Sequence, residues 1–363
     1  LSNYKDVSIE HLHLNLSVDF ESKLLYGSVT HSINNPSKDS IFILDTKYLS
    51  IESVSDQDEN KLDFSYGKKD DLLGDPLLVS INANTKKVTI KYSTTTQSEA
   101  LDWLNAEQTA GKEFPFMYTQ GQSIFTRSWI PIQDSPGLRI SYSADITVPE
   151  GMLPVMSAAN PQVKNKTNTY SFEMNQPIPP YLIALAVGNL EFKKIDNRTG
   201  VYAEPNMLES CVAEFVDMGK MVDAAEELYG EYDWERFDVI VLPPSFPFGG
   251  MENPRLTFAT PTIIAGDRSL VSLIAHELAH SWSGNLVTNA TWNDFWLNEG
   301  FTVYFERRIM EALYGKDYTE MLALLGYQDL QEELVTLDPK MQTLKLKMKG
   351  MHPDDAMSDI AYE

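Results

Sequence analysis

Two histidines four residues apart, with a glutamate further along, limit how the second half of the chain can fold. The histidines lie in residues 276–280 (HELAH), and Glu299 follows after eighteen intervening residues, 281–298. In an α-helix, residues i and i+4 lie on one face, so His276 and His280 can bind the same ion. Zinc in a hydrolase usually takes three protein ligands and leaves a fourth position to water. The sequence therefore predicts a second helix that brings Glu299 back to the two histidines.

The glutamate inside this motif has a different expected role. Glu277 is rotated from His276 by about 100° around the helix, so it would miss the metal and face the bound water, where a general base belongs. Apolar neighbours indicate that the helix is buried: Leu270, Leu273, Ile274 and Leu278. A buried histidine pair that flanks a glutamate needs a charge partner, which zinc would provide. For this motif alone, a structural helix whose histidines bind neighbouring carboxylates is the alternative.

A second acidic residue lies seven positions after Glu299 on the same predicted helix. Glu306 is two turns further along the same stripe, so it should point toward the metal side. A metal-bound imidazole usually donates its other N–H to a carboxylate or a carbonyl. We therefore expect Glu306 to bind one of the ligand histidines. The alternative is a surface ion pair with Arg307 or Arg308.

A loop rich in proline and glycine precedes the metal motif. It contains Gly249, Gly250, Met251 and Glu252. One interpretation is a surface turn with Glu252 exposed. In the other, the three residues 249–251 form an extended edge that exchanges main-chain hydrogen bonds with a peptide, and Glu252 accepts the free α-ammonium of that peptide. Such a carboxylate would fix where the substrate begins and would restrict cleavage to the first peptide bond.

Periodicity divides the chain into a β half and a mainly α half. Apolar residues alternate with polar ones along residues 12–20, which is the period of a strand with one buried face. Further predicted strands are residues 41–45, 77–81, 87–92, 139–147 and 181–192. From about residue 200 the spacing becomes helical, with predicted helices over 209–229, 298–313 and 318–337 and a short strand over 237–242. We therefore predict a multi-domain protein, with a β domain over residues 1–196 and a catalytic domain over residues 197–363.

The charge of the chain argues against one class of partner. It has 29 Lys and Arg against 52 Asp and Glu, a formal net charge of -23 and a pI of about 4.6. Binding to nucleic acid needs a basic face that neutralises phosphates, so we expect no nucleic acid partner. The acidic field could attract the ammonium end of a peptide, or could simply keep the protein soluble.

Two features of the sequence bear on the location of the protein. Cys211 is the one cysteine, so no intramolecular disulfide is expected. No apolar run reaches the length of a membrane span, and residues 1–20 lack a signal pattern, so we expect no membrane association and a cytoplasmic location. Because the sequence begins at Leu1 and not at Met, a removed leader and a periplasmic location stay open. Whether a partner subunit exists is not indicated.

Taken together, these segments resemble the zinc aminopeptidases of the gluzincin class. The resemblance rests on residues 249–253 (GGMEN), 276–280 (HELAH) and 298–300 (NEG). Residues 242–247 (LPPSFP) and 281–289 (SWSGNLVTN) are most similar to the branch of leukotriene A4 hydrolase and aminopeptidase B. The β half also matches this branch, at residues 107–109 (EQT) and 119–123 (TQGQS). The family fold implied is an N-terminal all-β domain with a saddle-like sheet, followed by a mainly α, thermolysin-like α+β catalytic domain.

The resemblance also implies a role for each matching residue. One zinc ion would be bound by His276, His280 and Glu299. Glu277 would be the general base and later the acid, and Tyr362 would hydrogen-bond the tetrahedral intermediate. Further matches concern substrate binding: Glu252 for the amino end, Gly249, Gly250 and Met251 for the backbone, and Gln122 from the β domain. The implied partners are peptides with a free N-terminus.

Two departures from the family leave other functions open. An epoxide hydrolase of the leukotriene A4 hydrolase type is a second hypothesis; Asp354 matches an acidic pocket residue of that enzyme, but Met357 stands where it has a pocket tyrosine, which counts against this chemistry. Family members continue beyond the position of Glu363 with the rest of the catalytic domain and a helical C-terminal domain. The resemblance therefore implies a chain that is incomplete at its C-terminus, and a catalytically silent peptide-binding fragment is a third hypothesis.

Overall fold

The computed structural model describes residues 2–363. It divides into two compact units, and the boundary between them in the chain lies between Leu190 and Glu191. The predicted boundary at residue 196 lies within a hairpin of the second unit. Strand Glu191–Lys194 pairs antiparallel with Thr199–Ala203, so the second unit begins before residue 196. Among residues 2–363, none of the helices has both the length and the apolar character needed to cross a bilayer.

The first unit is built from β-strands with only short 3-10 helices between them in its described residues, which confirms the predicted all-β domain. Its strands are β1 (Ser8–Asp19), β2 (Leu24–Asn34), β3 (Ile41–Thr46), β4 (Ser50–Asp56), β5 (Phe64–Tyr66), β6 (Asp75–Ser80), β7 (Lys87–Ser93), β8 (Leu101–Leu104), β9 (Phe116–Thr119), β10 (Ile140–Thr147), β11 (Leu153–Met156), β12 (Thr169–Ile178) and β13 (Leu185–Gly188). They form sheets of six, four and three strands, in the orders β12-β10-β1-β2-β7-β4, β11-β13-β9-β8 and β3-β6-β5.

Strand β1 lies inside the six-stranded sheet, between β10 and β2, and has one buried and one polar face. Leu12, Leu14, Leu16 and Val18 are buried, whereas the residues between them are partly exposed. One face of β1 therefore packs into the core, and the other is polar and faces solvent.

One strand prediction in this unit was wrong. Residues 181–192 form three elements: a short 3-10 helix at Pro180–Leu182, then β13, and then a strand of the second unit. The continuous apolar run hides these boundaries, because β13 is buried on both faces and shows no alternation.

The second unit combines a five-stranded sheet with six α-helices. Its strands are β14 (Glu191–Lys194), β15 (Thr199–Ala203), β16 (Phe237–Val241), β17 (Gly250–Met251) and β18 (Leu256–Ala259), in the order β14-β15-β16-β18-β17. Its helices are α1 (Leu208–Glu214), α2 (Met218–Tyr229), α3 (Ser272–Ala279), α4 (Trp296–Tyr314), α5 (Lys316–Thr336) and α6 (Asp359–Tyr362). This α+β arrangement agrees with the catalytic domain expected from the sequence.

The single helix predicted over residues 209–229 is in fact two helices. The backbone leaves the helical conformation between α1 and α2, where Phe215 has φ -96° and ψ 17°. Both Phe215 and Met218 are buried, so the apolar spacing continues across the break and periodicity alone does not reveal it. The predicted helix end at Gly230 is present: its φ is +97° and its N–H donates to the carbonyl of Glu226.

Candidate metal centre

Helices α3 and α4 bring three electron-pair donors to one point. The Nε2 atoms of His276 and His280 are 3.2 Å apart, and Glu299 Oε2 lies 3.4 Å from each of them. His280 and Glu299 are buried, and the His276 side chain is 13% exposed. Helices α3 and α4 therefore bring together the three residues that the sequence predicts as metal ligands.

Hydrogen bonds on the far side of each imidazole fix the direction of its lone pair. His280 Nδ1 lies 3.1 Å from the carbonyl oxygen of Ser283, which can only accept, so Nδ1 bears the hydrogen and Nε2 the lone pair. His276 Nδ1 lies 3.0 Å from Glu306 Oε2, which favours the same tautomer. When both imidazoles are neutral, two nitrogen lone pairs and a carboxylate oxygen thus converge, an arrangement that repels itself unless a metal ion or protons lie between them.

The spacing of these donors fits a zinc ion. Tetrahedral zinc with bonds of about 2.0–2.2 Å has ligand atoms about 3.3–3.6 Å apart. The observed separations of 3.2–3.4 Å agree with this geometry. Glu299 Oε2 is also a buried oxygen with no hydrogen-bond donor among the described residues, as expected for an atom that binds a metal.

The pKa values of His276, His280 and Glu299 depend strongly on one another. Burial alone would raise the pKa of Glu299, but His280 and His276 outweigh it and lower that pKa to about 2. Burial lowers the pKa of His280, whereas Glu299 and Glu252 together raise it to about 9. Glu299 is therefore ionised at neutral pH, and a metal ion must displace protons from the imidazoles as it binds.

Glu277 lies beside the three donors and is itself buried, with 5% exposure. Burial, reinforced by Glu252 and Glu299, raises its pKa to about 8, although both histidines oppose the rise. A cation at the donor set would favour the ionised carboxylate. Its Oε2 has no hydrogen-bond partner among the described residues, so it is available to a water molecule.

The backbone of β17 passes directly against this carboxylate. A Cβ atom on Gly250 would lie 2.1 Å from Glu277 Oε1, so a larger residue here would displace this carboxylate. β17 is the last strand of its sheet, pairing Gly250 with Ala259 and Met251 with Phe258, and Gly249 accepts a hydrogen bond from the N–H of Thr260. The structure therefore places an edge strand beside the candidate base.

Glu252 follows this edge strand and is buried, not exposed as in the surface-turn interpretation. It is 4% exposed, and its carbonyl oxygen accepts a hydrogen bond of 2.7 Å from Asn285 Nδ2. Burial raises the pKa of its carboxyl group. A carboxylate oxygen of Glu252, one of Glu277 and a ring nitrogen of His280 lie within 4.8 Å of one another. A second carboxylate therefore borders the donor set.

Tyr362 on α6 also lies at this centre. Its ring stacks on His276, with centroids 6.2 Å apart and an interplanar angle of 23°. Burial, with Glu299 and Glu252 nearby, raises the pKa of the phenol well above its usual value. The hydroxyl therefore stays protonated at neutral pH and can donate a hydrogen bond.

The structure describes three further residues of the sequence hypotheses, which are Gln122, Asp354 and Met357. Gln122 belongs to the first unit, where it is buried after β9, and its role in substrate binding stays a prediction. Asp354 is in the short 3-10 helix Pro353–Ala356, with an oxygen 3.4 Å from His352 Nδ1, and Met357 follows that helix.

Sequence reasoning missed the residues that orient His280. Besides the Ser283 carbonyl, the Thr302 hydroxyl lies 3.1 Å from His280 Nδ1. Gly284 has φ +104°, and a Cβ on it would lie 2.1 Å from Asn298 Oδ1 and 2.9 Å from His280 Nδ1. The one signal available was spacing, since Thr302 lies three residues after Glu299 on the same helix face.

We predict that Glu306→Gln weakens zinc binding. The arginines of the alternative interpretation have other partners, because Arg307 pairs with Glu363 and Arg308 with Glu311. Removing the charge that polarises His276 should lower zinc affinity by about 10–100-fold. Competition with a fluorescent zinc chelator measures the change, and Glu311→Gln on the same helix is the control. Equal zinc affinity in both variants would show that Glu306 does not support the ligand.

Comparison with known proteins gives one consistent result. Residues 2–182 match the Peptidase M1 N-terminal domain, and residues 215–363 match the Peptidase family M1 domain. The chain is 44% identical to leucine aminopeptidase 2 of Yarrowia lipolytica, over all of this chain and 58% of that protein. It superposes on yeast LTA4 hydrolase, solved in complex with bestatin, with a TM-score of 0.94 and 42% identity, over 100% of this chain and 58% of that one.

A more distant structure shares the fold. It is an M1 zinc metallopeptidase from Deinococcus radiodurans, with 21% identity and a TM-score of 0.76 over 99% of this chain and 80% of that one. Against the two yeast relatives that it matches at above 40% identity, the chain spans somewhat more than half of their length. The resemblance to leukotriene A4 hydrolase that the motifs indicated is confirmed.

Proposed function

The chain belongs to peptidase family M1, and on that premise we propose that it is a zinc-dependent aminopeptidase that removes the first residue of a peptide. The observation that carries the proposal is the convergence of His276, His280 and Glu299 at tetrahedral spacing beside two further buried carboxylates. The substrates proposed are peptides with a free amino end. The cofactor is one zinc ion.

His276, His280 and Glu299 would hold this ion. When bound, zinc acidifies a water molecule and polarises the carbonyl that the water attacks. The chain's own residues supply the remaining steps. Glu306 and the Ser283 carbonyl keep the two imidazoles in the tautomer that binds metal.

Glu277 moves the proton in the proposed reaction. Its unpartnered Oε2 accepts a proton from the attacking water and then returns it to the nitrogen of the leaving amine. The protonated hydroxyl of Tyr362 donates a hydrogen bond to the oxyanion that develops on the substrate carbonyl. Both side chains are held by packing, Glu277 against the Gly250 backbone and Tyr362 against the His276 ring.

Glu252 and β17 set the position of the substrate in this proposal. The edge of β17 can hydrogen-bond an extended peptide, and the Glu252 carboxylate at its end can accept the α-ammonium group. A peptide that continued past this point would leave the buried carboxylate unpaired, which disfavours an endopeptidase. We propose that Gln122 adds a contact to the substrate, as the family resemblance implies.

The test of this function compares a free with a blocked amino end. The chain should hydrolyse leucine p-nitroanilide, and acetylation of the leucine nitrogen should abolish turnover. Glu252→Gln should lower kcat/KM for the free amine by about 10²–10³-fold, because a buried charge pair is lost. Glu320→Gln, at an exposed position of α5, is the control. Equal rates for the free and the acetylated substrate would contradict an aminopeptidase.

An epoxide hydrolase is the second candidate, and it rests on the similarity to yeast LTA4 hydrolase. The substitution at Met357 argues against it, because a thioether cannot supply the hydrogen bond of a tyrosine hydroxyl. Both candidates use the same metal. Turnover of leukotriene A4, together with an absence of arylamide hydrolysis, would favour this second function.

A further inference from the structure

The polar face of the six-stranded sheet in the first unit contains a concavity. It has a volume of about 550 Å³ and lies over strands β1, β2, β7 and β4. Its walls include Asn15, Tyr26, Ser28, Glu52 and Lys91. All of these residues belong to the first compact unit, whereas the candidate metal centre belongs to the second. The concavity is therefore a separate feature of the molecule.

Two local irregularities shape this part of the sheet. The register between β4 and β7 shifts between Ile51 and Ser53, which makes Glu52 the extra residue of a β-bulge. Bulges bend a strand, increase its twist and re-aim the side chains next to them. On β2, a Cβ on Gly27 would lie 2.0 Å from the carbonyl oxygen of Asn15, so glycine permits a close approach of β2 to β1.

Elsewhere on the same face, polar side chains bind one another across the strands. The hydroxyl oxygens of Thr30 and Thr89 are hydrogen-bonded at 2.9 Å, and His13 Nδ1 is hydrogen-bonded to the hydroxyl oxygen of Ser143 at 2.9 Å. Further pairs of this kind are His11 with Ser141, Thr147 with Thr169, and Ser171 with Asp145. Cross-strand pairing is thus the rule over most of this face.

The side chains around the concavity do not follow this rule. Across residues 2–363, no hydrogen bond or ion pair within the protein involves the side chain of Asn15, Ser28, Glu52 or Lys91. Neighbouring residues do face each other there, since Asn15 is opposite Ser28, and Ser28 is opposite Lys91. A set of hydrogen-bond donors and acceptors therefore surrounds the concavity, available to a ligand.

The composition of the walls selects a class of ligand. One carboxylate and one ammonium group balance in charge, which disfavours both polyanions and polycations. Hydroxyl and amide groups predominate, which disfavours an apolar ligand. The Tyr26 ring is 50% exposed, so a flat aromatic surface is present as well. A neutral molecule with many hydroxyl groups and an apolar C–H face matches all three features.

We propose that this concavity binds a neutral saccharide of one or two sugar units. The Tyr26 ring packs against the C–H face of a sugar ring. Asn15, Ser28, Glu52 and Lys91 exchange hydrogen bonds with its hydroxyl groups. The first unit then has a binding site of its own, independent of the peptidase function proposed for the second.

The test uses a defined set of sugars and the zinc-loaded chain. Saturation-transfer NMR and calorimetry are performed with glucose, N-acetylglucosamine, maltose and cellobiose, and with cyclohexanol as a non-sugar control. At least one sugar should bind saturably, and Tyr26→Ala should weaken that binding by about tenfold or more. Tyr327→Ala removes a comparably exposed tyrosine, 56% exposed on α5, and should leave binding unchanged.

A second variant keeps the result interpretable if Tyr26→Ala lowers stability. Asn15→Ala removes two donors and an acceptor from an exposed position, and it should also weaken sugar binding. Hydrolysis of leucine p-nitroanilide should be equal in all these variants, so a failure of this proposal leaves the proposed function unaffected. Absence of binding by all four sugars, or equal binding in the Tyr26→Ala and Tyr327→Ala variants, would overturn the proposal.

Discussion

Glu277→Gln is expected to keep its zinc and to lose turnover by about 10³-fold or more. Glutamine has nearly the same volume as glutamate, so it can occupy the space against the Gly250 backbone where Glu277 Oε1 now lies. It cannot take a proton from water, because an amide is not a base at neutral pH. The ligand atoms of His276, His280 and Glu299 do not change, so metal binding should persist.

The measurement combines kcat for leucine p-nitroanilide with the zinc content of the same sample. The Glu311→Gln variant, altered at an exposed position of α4, serves as the control and should match the unmodified chain. If Glu277→Gln turned over at a near-normal rate with zinc bound, Glu277 would have no role as the base. Loss of zinc along with activity would instead make Glu277 part of the metal-binding structure.

Removal of zinc is expected to have the second large effect. Dialysis against a chelator should lower activity by about 10³-fold or more, since both the acidified water and the polarised carbonyl are lost. One equivalent of zinc should restore it, whereas magnesium should not, because magnesium prefers oxygen ligands in octahedral geometry.

The same treatment should lower stability. Without zinc, the Nε2 atoms of His276 and His280 and Glu299 Oε2, 3.2–3.4 Å apart, lose an ion that binds them only in the folded chain, and protons take its place. We expect the unfolding temperature of the second unit to fall by at least about 5 °C. A metal-free chain with full activity would contradict the proposed use of zinc.

Local spacing made much of the candidate site predictable. The i and i+4 relation of His276 and His280, and the two-turn relation of Glu299 and Glu306, follow from helix geometry alone. The structure places Glu306 Oε2 3.0 Å from His276 Nδ1, on the side that this geometry predicts. Such relations depend only on residues of one helix, so a sequence can reveal them.

Features that depend on distant segments were less accessible. Tyr362 lies beside His276 because α6 packs against α4. From the sequence, its role was indicated only by the family resemblance. The break between α1 and α2 was missed because buried residues continue on both sides of it. The concavity on the β-sheet depends on a bulge at Glu52 and on Gly27, and neither changes the alternating pattern enough to be recognised.

The most direct test of the whole account is the zinc content of the well-folded, extensively dialysed chain. Elemental analysis should find one zinc per chain, and His280→Ala, which removes one of three ligands, should reduce this to well below one while Glu277→Gln retains it. A folded chain that binds no stoichiometric zinc, or that binds one zinc equally well after His280→Ala, would contradict the account.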